Sequence, residues 1–315
     1  MTKIFALMLL GASTAFAAEP AAPPPAPPAA GPVTETVTEG DKPVLEYRHG
    51  DDLFKPYVVR LFSPAGVNVV RDQVPDHPHH HGLMFAVAVD GVDFWAETKT
   101  SGRMRDRTAA NLKVISSDTP WVGIVRNELA WLDPAGDKPL AREERSILVY
   151  RREGLGATLL TWQTRLEPAE GKPSIKLSGS HYFGLGMRFP QSMDGAADFF
   201  TEKGKVDGEV VRGEERLTRG RWCACSGEID GKPVTVAMFD APANPRPALW
   251  FTMPKAFGYL SATLNLHKEP LTVEAGKPLT LTYGVAVWDG KVKADEIEKL
   301  YTRWLELVAL NKEKK

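Results

Sequence analysis

The stretch LTLTYGVAVW (residues 279–288) places a large apolar side chain at every second position, with Thr, Gly or Ala between them. Side chains alternate between the two faces of a β-strand, so this pattern predicts a strand with one strongly apolar face. The same alternation recurs along the chain, for example at Ala157–Leu166 and Val67–Arg71. Turn residues such as Ala275-Gly276 and Asp230-Gly231 separate these segments, and no helical stretch intervenes. The pattern predicts an all-β fold, a large antiparallel two-sheet sandwich that resembles a supersandwich.

One helix is predicted after the last strand. Asp295 can cap its N-terminus, and Glu298 stands three residues further on, which is the spacing of a capping box. The apolar residues that fall on one face of this helix are Ile297, Leu300, Tyr301, Trp304 and Val308. This amphipathic pattern predicts a single C-terminal helix that packs on the sandwich.

The chain begins with the pattern of an export signal. Lys3 precedes an apolar run from Ile4 to Phe16 that is too short to span a bilayer, and Ala15-Phe16-Ala17 forms a small-x-small cleavage signal. Residues 1–17 are therefore predicted to be a signal peptide, and the mature protein is predicted to be periplasmic or secreted. Because no later segment is long and apolar enough, the mature chain is not expected to insert into a membrane.

The rest of the chain reads as a linker followed by one domain. Residues 18–40 begin with a run rich in Pro and Ala, which is typical of an extended linker. Residues 41–315 have the composition of a single globular domain, since 43% of the chain is hydrophobic and 25% is charged. With 39 basic and 40 acidic residues, the net charge of −1 gives no support for nucleic-acid binding.

The only cysteines are Cys223 and Cys225. At positions i and i+2 of a strand they would point to the same face. Three interpretations are open: buried or free thiols, a strained or redox-active bridge, and a soft-metal ligand pair. Two cysteines are too few for a disulfide framework.

The segment Asp76-His77-Pro78-His79-His80-His81-Gly82 holds four of the seven histidines. It precedes the apolar strand predicted at Leu83–Val89, and the mouth of a strand is a common place for functional side chains. The candidate metal ligands, which would share one face of an extended segment, are His77, His79 and His81. Alternatively, His79 and His80 act as general acid or base. Some of the four imidazoles could also be packed, hydrogen-bonded scaffold.

Further candidates lie elsewhere in the chain. His181 and Arg188 occur in the run GSHYFGLGMRF (residues 179–189), whose glycines indicate a bulge or the close approach of a ligand. His181 is the third candidate for acid–base catalysis. Glu97 is interpreted either as an exposed charge or as a carboxylate of the site. The residues proposed to bind a ligand, for their polar groups or aromatic faces, are Arg71, Asp76, Trp95, Arg188, Asn244 and Arg246.

These residues resemble the PmoA-like family, a domain family of unknown function sometimes labelled methane oxygenase. The resemblance covers about Leu45 to Asp289, and its specific part is the motif in Asp76–Gly82. It implies an exported protein with a fold similar to the galactose-mutarotase supersandwich, and hence a carbohydrate site on the concave sheet. The sequence departs from the family pattern at His81, where an Arg is usual, and around Asp240–Pro247, which lacks expected histidines. It also lacks a recognisable mutarotase-type pair of His and Glu.

The leading hypothesis is an exported carbohydrate-active protein, an enzyme that catalyses proton transfer at a sugar carbon as an epimerase, lyase or hydratase does. The alternative is a non-catalytic periplasmic protein that binds a sugar or a metal through the His-rich segment. In both cases the partner is a small molecule or an oligosaccharide, and a divalent metal is compatible with the site but not required. Because buried imidazole and guanidinium groups need partners, Asp76–Gly82 and His181–Arg188 are expected to line one shared pocket.

Overall fold

The structure is a computed structural model that describes residues 31–114 and 119–313. The predicted signal peptide, and the predicted linker up to residue 30, lie outside the described residues. The strands, in chain order, are β1 (Val33–Glu39), β2 (Lys42–His49), β3 (Tyr57–Leu61), β4 (Leu83–Ala86), β5 (Ala88–Val89), β6 (Val92–Asp93), β7 (Arg103–Val114), β8 (Trp121–Leu132), β9 (Pro139–Tyr150), β10 (Thr158–Pro168), β11 (Ser174–Ser178), β12 (Gly184–Arg188), β13 (Asp198–Thr201), β14 (Gly204–Lys205), β15 (Glu209–Val210), β16 (Arg216–Arg219), β17 (Trp222–Ile229), β18 (Lys232–Asp240), β19 (Leu249–Met253), β20 (Tyr259–Thr263), β21 (Leu271–Glu274) and β22 (Leu279–Asp289). A 3-10 turn spans Gln191–Met193, and the helix α1 spans Ala294–Glu313.

Two nine-stranded antiparallel sheets form the sandwich, which confirms the predicted fold class. The first sheet has the order β1-β2-β3-β4-β12-β20-β19-β16-β15, and the second has the order β14-β13-β17-β18-β22-β10-β9-β8-β7. A small third sheet, β21-β11-β5-β6, was not predicted. The stretch at residues 279–288 lies within β22, between β18 and β10 in the second sheet.

The alternation in β22 explains why the second sheet is buried on both faces. Val285 and Val287 belong to the main core between the sheets. Ala286 and Trp288 belong to a second apolar cluster on the other face, which α1 covers. Alternate side chains of β22 therefore pack against the first sheet and against α1. Both faces of the strand are apolar because both are buried.

The predicted C-terminal helix is confirmed. Its face with Ile297 and Trp304 is fully buried against the second sheet. The helix begins at Ala294, so Asp295 lies inside its first turn, and Glu298 accepts hydrogen bonds from Trp222 Nε1 (2.8 Å) and Arg221 Nη1 (2.7 Å) instead of closing a capping box. No helix in the described part of the chain is long and apolar enough to cross a membrane.

Two local expectations differ from the structure. The segment predicted as a strand at Val67–Arg71 is irregular, with a single bridge between Asn68 and Phe62. The strand β1 begins at Val33, inside the range 18–40 that was predicted to be a linker, because it pairs along its whole length with β2.

Cys223 and Cys225 are free thiols in β17, and both are fully buried. Burial raises the pKa of both thiols, which keeps them protonated and poorly nucleophilic. Of the three interpretations, the structure agrees with buried thiols.

The face of the first sheet that turns away from the second sheet carries the candidate site. Phe85 in β4 packs against Trp131 in β8 of the second sheet, with ring centroids 6.1 Å apart. Leu185 in β12 pairs with Phe85 and shares its face. Gly186 and Arg188 therefore lie on the opposite face of β12.

Candidate functional site

Six aromatic side chains form a closed ring on this face, called here the aromatic circle. Its members, in order, are His80, Trp95, Tyr182, His181, Phe251 and Tyr259, and neighbouring ring centroids lie 5.0–6.5 Å apart. Gly186 lies beneath it, because a Cβ there would run into Tyr259 and Trp95. The missing side chain at Gly186 therefore lets the aromatic circle rest directly on β12.

The His-rich segment is folded into turns and is not extended. His77 N donates to Val74 O (3.0 Å), and His80 N donates to His77 O (2.9 Å). The rings of His77 and His80 consequently stack 4.7 Å apart, and both contact the edge of Phe257. The expectation that His77, His79 and His81 share one face is wrong, because it assumed an extended backbone.

His81 turns away from the other histidines and is held between two carboxylates. Its Nδ1 lies 2.7 Å from Asp72 Oδ1, and its Nε2 lies 2.7 Å from Glu97 Oε1. The ring stacks on Tyr57 with centroids 4.0 Å apart, and the buried Lys55 Nζ also donates to Glu97 (2.7 Å). Asp72, His81, Glu97 and Lys55 are called here the His81 clasp. Glu97 is therefore a carboxylate of the site and not a free surface charge.

The geometry does not support the predicted metal site. Both ring nitrogens of His81 are engaged by the clasp, so His81 cannot join His77 and His79 as a ligand. In the ranges 31–114 and 119–313 there is no group of three or more His, Cys, Asp or Glu that could hold a metal ion.

The clasp shifts the pKa values of His81 and Glu97. Burial alone would lower the pKa of His81, but the hydrogen bonds with Asp72 and Glu97 outweigh burial and raise it. Burial alone would raise the pKa of Glu97, but the hydrogen bond from His81 and the charge of Lys55 lower it to about 2. The clasp therefore favours a charged imidazolium at His81 beside the charged carboxylate of Glu97.

We expect wild-type protein to lose unfolding free energy as the pH rises above about 6.5, and the His81→Gln variant to lose less. The folded-state pKa of His81 lies above its unfolded-state value, so its contribution is complete below about pH 6.5 and vanishes as the pH rises through the folded-state pKa. The low pKa of Glu97 changes the unfolding free energy only below about pH 4.5, which is outside this pH window. Urea unfolding of both proteins from about pH 5 to about pH 9 measures the difference. Parallel pH curves would contradict the charged clasp.

Arg188 is a buried cation whose pairing is incomplete. Its side chain is 2% exposed, and its guanidinium carbon lies 3.9 Å from the centre of the Phe257 ring. Nη2 reaches Asp194 Oδ2 at 3.4 Å, and Arg71 Nη1 approaches the same oxygen at 3.8 Å. Nε and Nη1 of Arg188 have no hydrogen-bond partner among the described residues.

His80 is neutral at physiological pH. Burial lowers its pKa to about 2, and electrostatic interactions with His79, His77, Arg188 and Lys55 act in the same direction. A group with this pKa is a poor proton donor or acceptor near pH 7, so His80 fits a hydrogen-bonding role better than the predicted acid–base role. His79 packs edge-on against His80 with centroids 4.6 Å apart, and burial lowers its pKa as well.

His181 has a carboxylate partner that the sequence did not reveal. Its Nε2 lies 3.5 Å from Glu215 Oε2, and its Nδ1 lies 3.3 Å from Ser180 Oγ. Glu215 is buried, and its other oxygen accepts hydrogen bonds from Arg212 Nη2 (2.6 Å) and Nε (3.2 Å). Burial, only partly opposed by Glu215, lowers the pKa of His181, so its imidazole is neutral and can accept a proton.

The two predicted segments are neighbours in space. Arg188 N donates to Gly82 O (2.9 Å), which places the end of the His-rich segment beside the end of β12. A cavity of about 500 Å³ is lined by His77 and Phe257 together with Arg212, Glu215, Lys255 and their neighbours. His77, from the His-rich segment, and Glu215, the carboxylate partner of His181, thus line the same cavity.

The remaining candidates have different surroundings. Trp95 is 1% exposed and stacks on Phe183 with centroids 5.2 Å apart, so its faces are packed against protein and not free for a sugar ring. Asp76 is 67% exposed, and its carboxylate lies 3.0 Å from His77 Nδ1. Asp76 therefore lies at the exposed rim of the site.

Asn244 and Arg246 are engaged by the protein itself. Asn244 Nδ2 donates to Asp240 Oδ1 and Thr282 O, and its Oδ1 accepts from Thr282 N. Arg246 Nη1 donates to Leu264 O (2.7 Å) and Glu269 O (2.6 Å). Both residues were predicted to bind a ligand; instead they hold backbone.

The loop that Arg246 holds carries a second residue missed by the sequence analysis. His267 in this loop lies 6.0 Å from His181 between ring centroids, and its Nδ1 is buried without a hydrogen-bond partner among the described residues. Neither His267 nor Glu215 stands in a motif, so no local pattern could have marked them. Arg246 therefore positions the loop that carries His267.

Several solved structures are similar to this chain. The alpha-galactosidase from Lactobacillus brevis has 6% identity and a TM-score of 0.45, over 85% of this chain and 40% of that one. An Escherichia coli K12 protein proposed to be an aldose 1-epimerase has 10% identity and a TM-score of 0.42, over 83% and 100%. The galactose mutarotase related enzyme from Lactobacillus acidophilus has 10% identity and a TM-score of 0.32, over 82% and 100%.

This chain thus spans about 40% of the length of the Lactobacillus brevis enzyme. No curated protein matches the chain. A family model described as a family of unknown function, DUF6807, matches residues 35–302. That description names no activity, so the PmoA label stays a prediction. The match extends over most of the chain, and the protein therefore belongs to the family of unknown function DUF6807.

Proposed function

We propose that this protein is an exported carbohydrate-active enzyme that binds an oligosaccharide at the aromatic circle and catalyses proton transfer at a sugar carbon. Epimerases, lyases and hydratases carry out reactions of this class. Export rests on the signal-peptide pattern of residues 1–17. The carbohydrate assignment rests on the chemistry of the site.

The observation that carries the proposal is a concentration of buried polar atoms around the aromatic circle. Apart from the 3.5 Å approach of His181 Nε2 to Glu215 Oε2, none of them has a hydrogen-bond partner among the described residues, although buried polar groups are nearly always paired. The atoms are Nδ1 of His80, Nε1 of Trp95, Nε and Nη1 of Arg188, the hydroxyl of Tyr259, Nε2 of His181, Oε2 of Glu215 and Nδ1 of His267.

A sugar matches this combination of groups. Its hydroxyls can both donate and accept hydrogen bonds, and its C–H face can pack against aromatic rings. Ligand sites commonly combine aromatic walls with a few fixed polar groups in this way. A purely apolar ligand would leave these polar atoms unpaired, at a cost of about 1–3 kcal/mol for each.

His181 and Glu215 supply the acid–base chemistry. Neutral His181 takes a proton from a sugar carbon next to a carbonyl or carboxyl group, and the C–H electron pair moves toward that group's oxygen to form an enolate. The imidazolium that results is stabilised by the adjacent Glu215 carboxylate. When the enolate turns its other face toward His181, return of the proton from the imidazolium gives epimerisation. Loss of the oxygen substituent on the next carbon, protonated by the same imidazolium as it leaves, gives elimination.

The proposal is tested by proton exchange in heavy water. We expect the mature protein, incubated in D₂O with a panel of monosaccharides and disaccharides, to remove the NMR signal of one carbon-bound proton from at least one sugar. Heat-denatured protein is the control. Binding without exchange would support the non-catalytic sugar-binding alternative, and neither binding nor exchange across neutral and acidic sugars would refute a carbohydrate function.

A further inference from the structure

We propose that the ligand of this site is an acidic sugar, whose carboxylate, sulfate or phosphate group binds at Arg188 and Arg71. This inference rests on the proposed carbohydrate function and names its substrate class. It is carried by the pairing of charges at the end of β12.

Two guanidinium groups share one carboxylate at this position. Asp194 Oδ2 lies 3.4 Å from Arg188 Nη2 and 3.8 Å from Arg71 Nη1. Both distances exceed the 2.7–2.9 Å or so that is typical of charge-assisted hydrogen bonds. The other oxygen, Asp194 Oδ1, accepts the backbone N–H of Gly258 (2.8 Å), which fixes the carboxylate in place. Asp194 therefore compensates one positive charge at most.

The other acidic groups nearby already have partners. Asp76 is largely exposed, and it lies against His77. Asp72 and Glu97 are held by His81, and Glu97 also accepts from Lys55. The Arg71–Arg188 pair with Asp194 thus carries an excess of one positive charge.

Burial makes this excess costly. Water is excluded from Nε and Nη1 of Arg188, and neither nitrogen has a protein partner in the described part of the chain. The Phe257 ring below the guanidinium offers cation–π stabilisation but no hydrogen-bond acceptor. A charge that is removed from water is strongly destabilised unless a partner of opposite sign compensates it. An anionic ligand group supplies that charge together with the missing acceptors.

The position of Arg188 in β12 also indicates where the ligand carries its anionic group relative to the carbon that reacts at His181. Gly184 and Arg188 are the two ends of β12, and four residues of strand cover about 13 Å. His181 precedes the first of these ends. A ligand that spans this backbone separation is longer than one sugar ring, and its anionic group then lies on a different sugar unit from the reacting carbon.

The test compares matched disaccharides by isothermal titration calorimetry with the full-length mature protein. One disaccharide carries a hexuronate residue, one a sulfate ester, one a phosphate ester, and one of the same linkage is neutral. We expect at least one anionic form to bind about tenfold or more tightly than the neutral one, as loss of a charge-assisted hydrogen bond implies. The anionic disaccharide with the highest affinity shows whether the site prefers a carboxylate, a sulfate or a phosphate.

Variants locate the effect. Arg188→Gln and Arg71→Gln are each expected to abolish most of the preference for the anionic disaccharide, whereas Arg303→Gln, an exposed helix residue paired with Glu306, leaves it intact. Arg71 is partly exposed, so its variant tests the proposal even where Arg188→Gln fails to fold. Equal affinity for the neutral and all anionic disaccharides, or a preference that survives in Arg71→Gln, would overturn the inference while leaving the carbohydrate function in place. Binding of no sugar at all would instead overturn the proposed function.

Discussion

Replacement of Glu143 by alanine is expected to lower the free energy of unfolding by about 3–5 kcal/mol. Glu143 and Arg145 lie in β9, with side chains 0% and 1% exposed. Arg145 Nε and Nη2 donate to the two carboxylate oxygens at 2.9 and 2.8 Å, which is a bidentate pair. Trp131 Nε1 and Thr164 Oγ1 also donate to Glu143, so its carboxylate is fully hydrogen-bonded.

The size of the effect follows from what remains after the substitution. Arg145 would keep one strong hydrogen bond, from Nη1 to Pro56 O (2.9 Å), but its buried charge would have lost its counterion. An uncompensated buried charge is the most expensive outcome of breaking such a pair, and the hydrogen bonds of Trp131 and Thr164 are lost as well.

Urea denaturation of the mature protein measures this loss, with Glu144→Ala as the matched control. Glu144 is the next residue in the same strand, but it is 63% exposed and pairs with Arg165 at the surface. Surface pairs contribute about 0–1 kcal/mol, so the control should unfold almost like the wild type. If Glu143→Ala lowered the free energy of unfolding by less than about 1 kcal/mol, the charge of Arg145 would not depend on Glu143 as its counterion, and the prediction would be wrong.

The second large effect concerns turnover. We expect Glu215→Gln to lower the rate of carbon–proton exchange by about 10²–10⁴-fold, the range typical of acid–base groups. Glutamine keeps the shape and one acceptor oxygen of Glu215, but it removes the negative charge that stabilises imidazolium at His181. Substrate binding should change much less than the exchange rate, because the charge matters most when the imidazole has taken up a proton.

The chain provides a close control for this variant. Glu214 precedes Glu215 in the same loop, but it is roughly half exposed and pairs with Lys255 (3.0 Å). Glu214→Gln is expected to leave the exchange rate near the wild-type value. The double variant His181→Ala, Glu215→Gln should be little slower than His181→Ala alone, since the carboxylate acts through the imidazole. Additive losses in the double variant would contradict a shared role.

The alternating strands of the main sheets and the helix were largely predictable because their cause is local. Alternation at residues 279–288 and the apolar face of Ile297 and Trp304 depend only on which side chains neighbour each other along one element. The His-rich segment was recognised as unusual for the same local reason. Its conformation was not predicted. Backbone hydrogen bonds at His77 and His80 fold the segment into turns, and the residue composition does not reveal these bonds.

The signal peptide and the export of the mature chain also rest on local pattern, and they stay predictions. What only the tertiary structure decided is which residues meet. Glu215 reaches His181 because β12, β20, β19 and β16 are adjacent in the first sheet, although the two residues are far apart in the chain. Tertiary contacts likewise set His81 between Asp72 and Glu97, where both of its ring nitrogens are engaged. They also leave Arg188 buried, with two of its three guanidinium nitrogens unpartnered among the described residues. A sequence states which groups are present, but burial and distance determine their charge and their partners, and these depend on the order of strands in the sheet.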